Sequence, residues 1–138
     1  MDSEFRELNT REKQLVEKLL NASPQGFEEL RTQLNYIKAE QIEGDGTLRL
    51  QCVGGTPSKY YTPVAEGVCK DADGADIAVI LHLGKSGFMS MLEIIKYDGS
   101  PIISPPSAEN LAINSVPTFQ VLGPGSYRRV PPPSSENE

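Results

Sequence analysis

The chain has 138 residues, 13 of them basic and 19 acidic, for a net charge of −6. That length suits one domain, with a core large enough to fold without a metal or a disulfide. The acidic balance speaks against nucleic acid and against an anionic membrane surface, both of which need clustered Lys and Arg, and it permits a basic protein partner.

The N-terminal stretch Met1-Asp2-Ser3-Glu4-Phe5-Arg6-Glu7 is charged from its second residue and lacks the apolar run of a secretory leader. The longest purely apolar run is residues 77–81, far short of the ~20 residues of a membrane span. A cytoplasmic location is expected, and with it free thiols at Cys52 and Cys69.

Residues 10–22 read as a helix, with Leu15, Val16, Leu19 and Leu20 as its apolar stripe and Asn9 and Glu12 at capping-box spacing. Ser23-Pro24 and Gly26 break it. A second helix is expected over 25–36, with Phe27, Leu30, Leu34 and Ile37 on one face. The period then changes to two. Strands are expected at 37–43, 48–52, 64–70, 77–83 and 88–97, with turns at 43–46, at Asp73-Gly74, at 84–87 and at Asp98-Gly99. Asp73-Gly74 suits a type I′ hairpin turn. Residues 77–83 are apolar on both faces, which places that strand mid-sheet.

Eight of the 11 prolines lie at or after Pro101. Residues 1–113 therefore read as a single α+β domain, in which two N-terminal helices pack on one face of a four- to five-stranded antiparallel meander. Residues 114–138 read as a Pro-rich extension, disordered at least from 131, with a short added strand at 118–122.

No residue set announces catalysis. His82 is the single histidine, and strand alternation puts it beside Ala78 and Ile80, which suits a structural or surface role. Glu93 lies among Leu92, Ile94 and Ile95 and is expected to face solvent or pair with a neighbouring Lys or Arg. Phe88, Met89 and Met91 are expected to pack under the helices. Asp71, Asp73 and Asp76 lack the glycine and glutamate positions of an EF-hand loop, so the hairpin reading stands. The glycine-rich run from Gly54 to Lys59 lacks phosphate-loop spacing. Neither cysteine sits in a CxxC pair, so no metal site and no cofactor are expected.

The run Pro24-Gln25-Gly26-Phe27-Glu28-Glu29-Leu30-Arg31-Thr32-Gln33-Leu34 is followed by Asp71-Ala72-Asp73-Gly74, Ile80-Leu81-His82-Leu83, Leu92-Glu93-Ile94 and Asp98-Gly99. In these the chain resembles, over about residues 10–113, a family of small uncharacterised bacterial proteins with a PG-x-EELR-x-QL helix and DxDG, LLHV and LELEI strands. Gln25 between Pro24 and Gly26, and Ser90-Met91 before Leu92, depart from that pattern. The resemblance implies a two-helix, antiparallel-sheet fold and no established activity.

The expected function is a non-catalytic protein-binding module, in its most specific form an immunity or inhibitor protein for a bacterial toxin. Its contact surfaces would be the acidic groups Glu40, Glu43 and Asp45, and Asp71, Asp73 and Asp76. The alternative is a small enzyme or ligand-binding domain using a pocket between sheet and helices near His82 and Glu93. Residues 131–138, three prolines followed by small or polar residues, offer almost no apolar surface to offset ordering. Deleting them is expected to leave the melting temperature unchanged by calorimetry, and a clear drop would show that the tail is docked.

Overall fold

A computed structural model describes residues 5–21, 28–42, 44, 46–52, 62–84, 88–115, 119–123 and 126–129. Helix α1 is Thr10–Asn21, and Leu15, Val16, Leu19 and Leu20 are buried as the stripe requires. The capping box forms in full: Glu12 N donates to Asn9 Oδ1 at 2.8 Å, and Asn9 N donates to Glu12 Oε1 at 2.9 Å. Arg6 adds a two-pronged contact to the Glu12 carboxylate at 2.8 and 2.9 Å. Burial alone would raise the Glu12 carboxyl, but the Arg6 guanidinium, the Asn9 N–H and the charge of Arg11 hold it below its ordinary value. The Arg6 backbone also exchanges hydrogen bonds with Ala39, so the start of α1 is fixed to the edge of the sheet.

Helix α2 is Glu28–Gln33. It ends sooner than its apolar spacing suggests, because Leu34, Asn35 and Tyr36 donate to carbonyls three residues back and tighten the last turn. Ile37, expected on the helix face, instead opens strand β1, Ile37–Gln41. The side chains of α2 hold other elements. Arg31 closes the C-terminal end of α1 through Asn21 Oδ1 at 3.0 Å and the Leu20 carbonyl at 3.3 Å. Gln33 Oε1 accepts from Met89 N at 2.9 Å and from the Cys52 thiol at 3.4 Å.

The remaining strands are β2 Leu48–Cys52, β3 Thr62–Lys70, β4 Asp76–Leu83, β5 Met89–Lys96, β6 Ala112–Ser115, β7 Phe119–Gly123 and β8 Ser126–Arg129. The fold is α+β. Among the described residues its main sheet has six strands in the order β1-β2-β5-β4-β3-β6, and every neighbouring pair is antiparallel. The expected meander holds for β3-β4-β5, where short turns force neighbours to pair, and fails for β2. The connection from β2 to β3 is long enough to leave pairing to the sheet edges, so β2 takes the free edge of β5 and β6 takes that of β3. β4 lies inside the sheet, as its two apolar faces require. β7 and β8 pair with each other as a separate two-stranded sheet and do not extend the main one. Residues 131–138 lie outside the described residues.

The β3–β4 turn is not type I′. Gly74 N donates to Asp71 O at 2.9 Å, Asp71 N donates to Ala75 O at 2.8 Å, and only Gly74 has a positive φ. A type I′ turn needs positive φ at two residues. A three-residue loop ending in a left-handed glycine needs one.

Alternation divides the sheet cleanly. Ile77, Val79, Leu81 and Leu83 of β4 join Leu92 and Ile94 of β5 and the leucines of α1 in one core. Ala78, Ile80 and His82 point to the opposite face, which carries no described helix. Met89 belongs to the core, whereas Met91, expected beside it under the helices, pairs with His82 on the far face. A bulge between His82 and Leu83 places Leu83 opposite Met89.

Gly67 sits on the core face of β3, opposite Val79 and Ile113. A Cβ there would lie 2.6 Å from Leu111 Cγ and within 3.0 Å of both its methyls. Leu111 is 2% exposed, so it is seated directly on the glycine. Gly67→Ala should therefore cost about 1–3 kcal/mol in urea unfolding. Gly67→Ala combined with Leu111→Ala should lose less than the sum of the two single variants, and additive losses would show that the two residues are not in contact.

Candidate functional site

Two polar constellations stand out, one inside the fold and one on the helix-free face. The inner one is built on Lys96. Alternation along Leu92, Ile94 and Lys96 turns this lysine to the core face, opposite Ile77, and its side chain is 2% exposed. Its ammonium lies 2.8 Å from Asp71 Oδ2 and 2.7 Å from Asp73 Oδ2, and donates to the Pro101 carbonyl at 3.1 Å. Asp71 is fully buried, and its carboxylate also accepts N–H bonds from Ala72 at 2.7 Å and from Ile103 and Ser104 at 2.8 Å. Burial alone would raise the Asp71 carboxyl. The Lys96 ammonium and the three N–H donors overturn this and hold it far below the usual carboxylate range. Asp73 is held low by Lys96 and the Ala75 N–H, and Lys96 is held above its ordinary value by the two carboxylates.

This decides how the acidic residues singled out in the sequence are placed. Asp71 presents nothing to solvent. Asp73 is partly exposed and bonded to Lys96, and Asp76 lies 2.7 Å from Lys70. Glu40 stands on β1, 3.0 Å from Arg49 of β2. Glu43 and Asp45 lie outside the described residues. Lys96 was missed in the sequence, although its place in the period-two register of β5 marks it as facing the core.

The second constellation is on the far face. His82 Nε2 lies 2.9 Å from Glu93 Oε1. The register sets Ile80 opposite Glu93 and His82 opposite Met91, so the pair is diagonal across β4 and β5. His82 is 8% exposed and the Glu93 side chain 33%. Glu93 is thus bonded to the single histidine and not to the Lys or Arg that was expected. Both side chains share one face, which a joint role requires, but that face is turned away from the helices and not toward them. Around the pair run Val68, Ala78 and Ile95 in one cross-strand row and Glu66, Ile80 and Glu93 in the next. Ile95 is 38% exposed and Tyr97, just beyond it, 57%.

Cys52 and Cys69 are free and buried. Burial pushes the Cys52 thiol up to about 11, and burial with the charges of Asp71 and Asp76 raises Cys69, so neither is a ready nucleophile. Among the described residues no group of three or more His, Cys, Asp or Glu could hold a metal ion, and no helix is long and apolar enough to cross a membrane.

Residues 5–106 match a domain of unknown function, DUF6984. No curated protein and no solved structure matches the chain.

The Asp71 carboxyl is lower in the folded than in the unfolded state. Its contribution to stability is therefore present above the unfolded value of ~4 and is lost as pH falls through the folded value. Asp71→Asn should lower the melting temperature clearly at pH 7, and the gap from wild type should narrow below pH ~4. A gap that does not change with pH, measured by circular dichroism melts, would show that the carboxylate charge is not what holds the cluster.

Proposed function

The chain belongs to the DUF6984 family, and from that premise we propose that it is a non-catalytic protein-binding module whose docking surface is the helix-free face of the sheet. The observation that carries this is the composition of that face. Val68, Ile80, Met91 and the exposed Ile95 form an apolar band across the face, with the His82–Glu93 pair set into its middle and Glu66 and the ion pairs Glu40–Arg49 and Lys70–Asp76 toward its margins. Apolar residues within a polar margin are how protein interfaces are built. The net charge of −6 favours a basic partner through faster encounter. An immunity or inhibitor protein acting on a bacterial toxin is the specific form proposed, since that role needs a docking surface and no chemistry.

A second reading rests on the contact between His82 and Glu93. A histidine oriented by a carboxylate is the core of many acid–base sites, and it supports a small enzyme or ligand-binding domain acting on this same face. The ring of His82 is nearly closed to solvent, so a ligand would have to enter beside Glu93.

Affinity capture from the source cells separates these readings. Wild type and Glu109→Ala, altered at an exposed position away from the face, should retain one basic protein that Ile95→Asp loses. If Ile95→Asp retains everything wild type retains, the docking face is wrong. The second reading instead expects a small-molecule extract to shift the His82 ring resonances with no protein partner present, and unchanged resonances would reject it.

A further inference from the structure

We infer that the cleft between the start of α1 and the start of β1 binds a small organic monocarboxylate with an apolar body. The cleft has a volume of about 380 Å³, at the small end of ligand sites. It lies at the sheet edge fixed by Arg6, and its lining includes Lys13, Lys38 and Tyr36.

The charge points to the ligand. Among the residues whose side chains are described, Lys13 and Lys38 apart, each Lys or Arg is committed: Arg6 to Glu12, Arg11 to the Pro106 carbonyl, Lys18 to the Ala108 carbonyl, Arg31 to the end of α1, Arg49 to Glu40, Lys70 to Asp76 and Lys96 to two aspartates. Lys13 is the exception among the described residues, its side chain having no partner. Lys38 comes close to it, touching only the carboxylate of Glu7 at 3.9 Å, and Glu7 is itself 83% exposed. Among the described side chains, the two loosely held cations therefore line the same cleft. Glu7 lines it as well, so two ammoniums and one carboxylate leave a single net positive charge. That balance suits a monoanion and discriminates against a phosphate dianion.

The rest of the lining sets the body of the ligand. Leu34 and Ile37 are buried and Leu8 half-buried beneath the cleft, while Tyr36 is 55% exposed at its rim. Tyr36 and Leu8 offer the apolar contact for a short aliphatic or phenyl group, Leu34 and Ile37 being nearly closed to solvent behind them. The net charge of −6 repels extended polyanions, so only a compact anion reaches a positive spot of this size.

The test is titration of the full chain, followed by backbone amide resonances, with 4-phenylbutyrate, its neutral analogue 4-phenylbutyramide, and inorganic phosphate. The carboxylate should give saturable shifts at Leu8, Asn35 and Tyr36. The amide should bind at least tenfold more weakly, and phosphate should not saturate. Lys13→Gln and Lys38→Gln, both at solvent-accessible positions, should melt like wild type and bind the carboxylate at least fivefold more weakly. No saturable shift, equal binding of the neutral amide, equal binding of phosphate, or undiminished binding by both lysine variants would each overturn the inference.

Discussion

The ammonium of Lys96 is buried, and the fold is arranged to keep it neutralised. A charge taken out of water is costly unless it is paired and its remaining donors are filled. Here Asp71, Asp73 and the Pro101 carbonyl fill them. These groups come from the end of β5, the β3–β4 turn and the segment that follows β5, so one ion cluster joins three parts of the chain. The Asp71 carboxylate extends the link by taking the N–H groups of Ile103 and Ser104. That segment has no regular hydrogen bonding of its own until the short 3₁₀ turn at Ala108–Asn110, yet it is fixed. Arg11 and Lys18 of α1 hold it from the other side through the Pro106 and Ala108 carbonyls. It then delivers Leu111 onto Gly67 and β6 onto the open edge of β3. Helix, turn and edge strand all depend on the cluster.

The start of α1 follows the same logic with different groups. Glu12 is buried because Arg6 and the Asn9 N–H satisfy it, and the Arg6 backbone ties that corner to β1. Arg31 closes α1, and Gln33 joins α2 to β2 and β5. Polar side chains thus settle the orphan donors and acceptors at helix and strand ends, where backbone pairing runs out. The helices are committed to one face as a result, and the other is left with half-buried apolar residues among ion pairs.

This bears on what the family pattern means. Arg31, Gln33, Asp71, Asp73 and Gly74 each have a structural task, as do Asp98, bonded to Ser100, and Gly99, with its positive φ. Such a pattern specifies a fold. His82 and Glu93 belong to the same pattern but stand on the helix-free face, outside the core, and join no helix or loop to the sheet through their mutual bond.

The local elements were legible from the residues alone. α1 with its cap, the central place of β4 and the β3-β4-β5 run all follow from short-range rules: a helical stripe with Asn9 and Glu12, two apolar faces, and a glycine at a turn. Only the tertiary structure decided the rest. Ile37 fits a helix stripe and a strand start equally well, and the tight turn at residues 34–36 chose the strand. The neighbours of β2 and β6 were illegible because long connections leave strand order to whichever edges remain free. The aspartates between Asp71 and Asp76 look alike as a string, but burial separates Asp71, spent on Lys96, from Asp73 and Asp76 at the surface. His82 and Glu93 lie 11 residues apart, and only the register of β4 against β5 brings their side chains together. Contacts between distant residues depend on register and burial, which the whole fold fixes at once and no local pattern encodes.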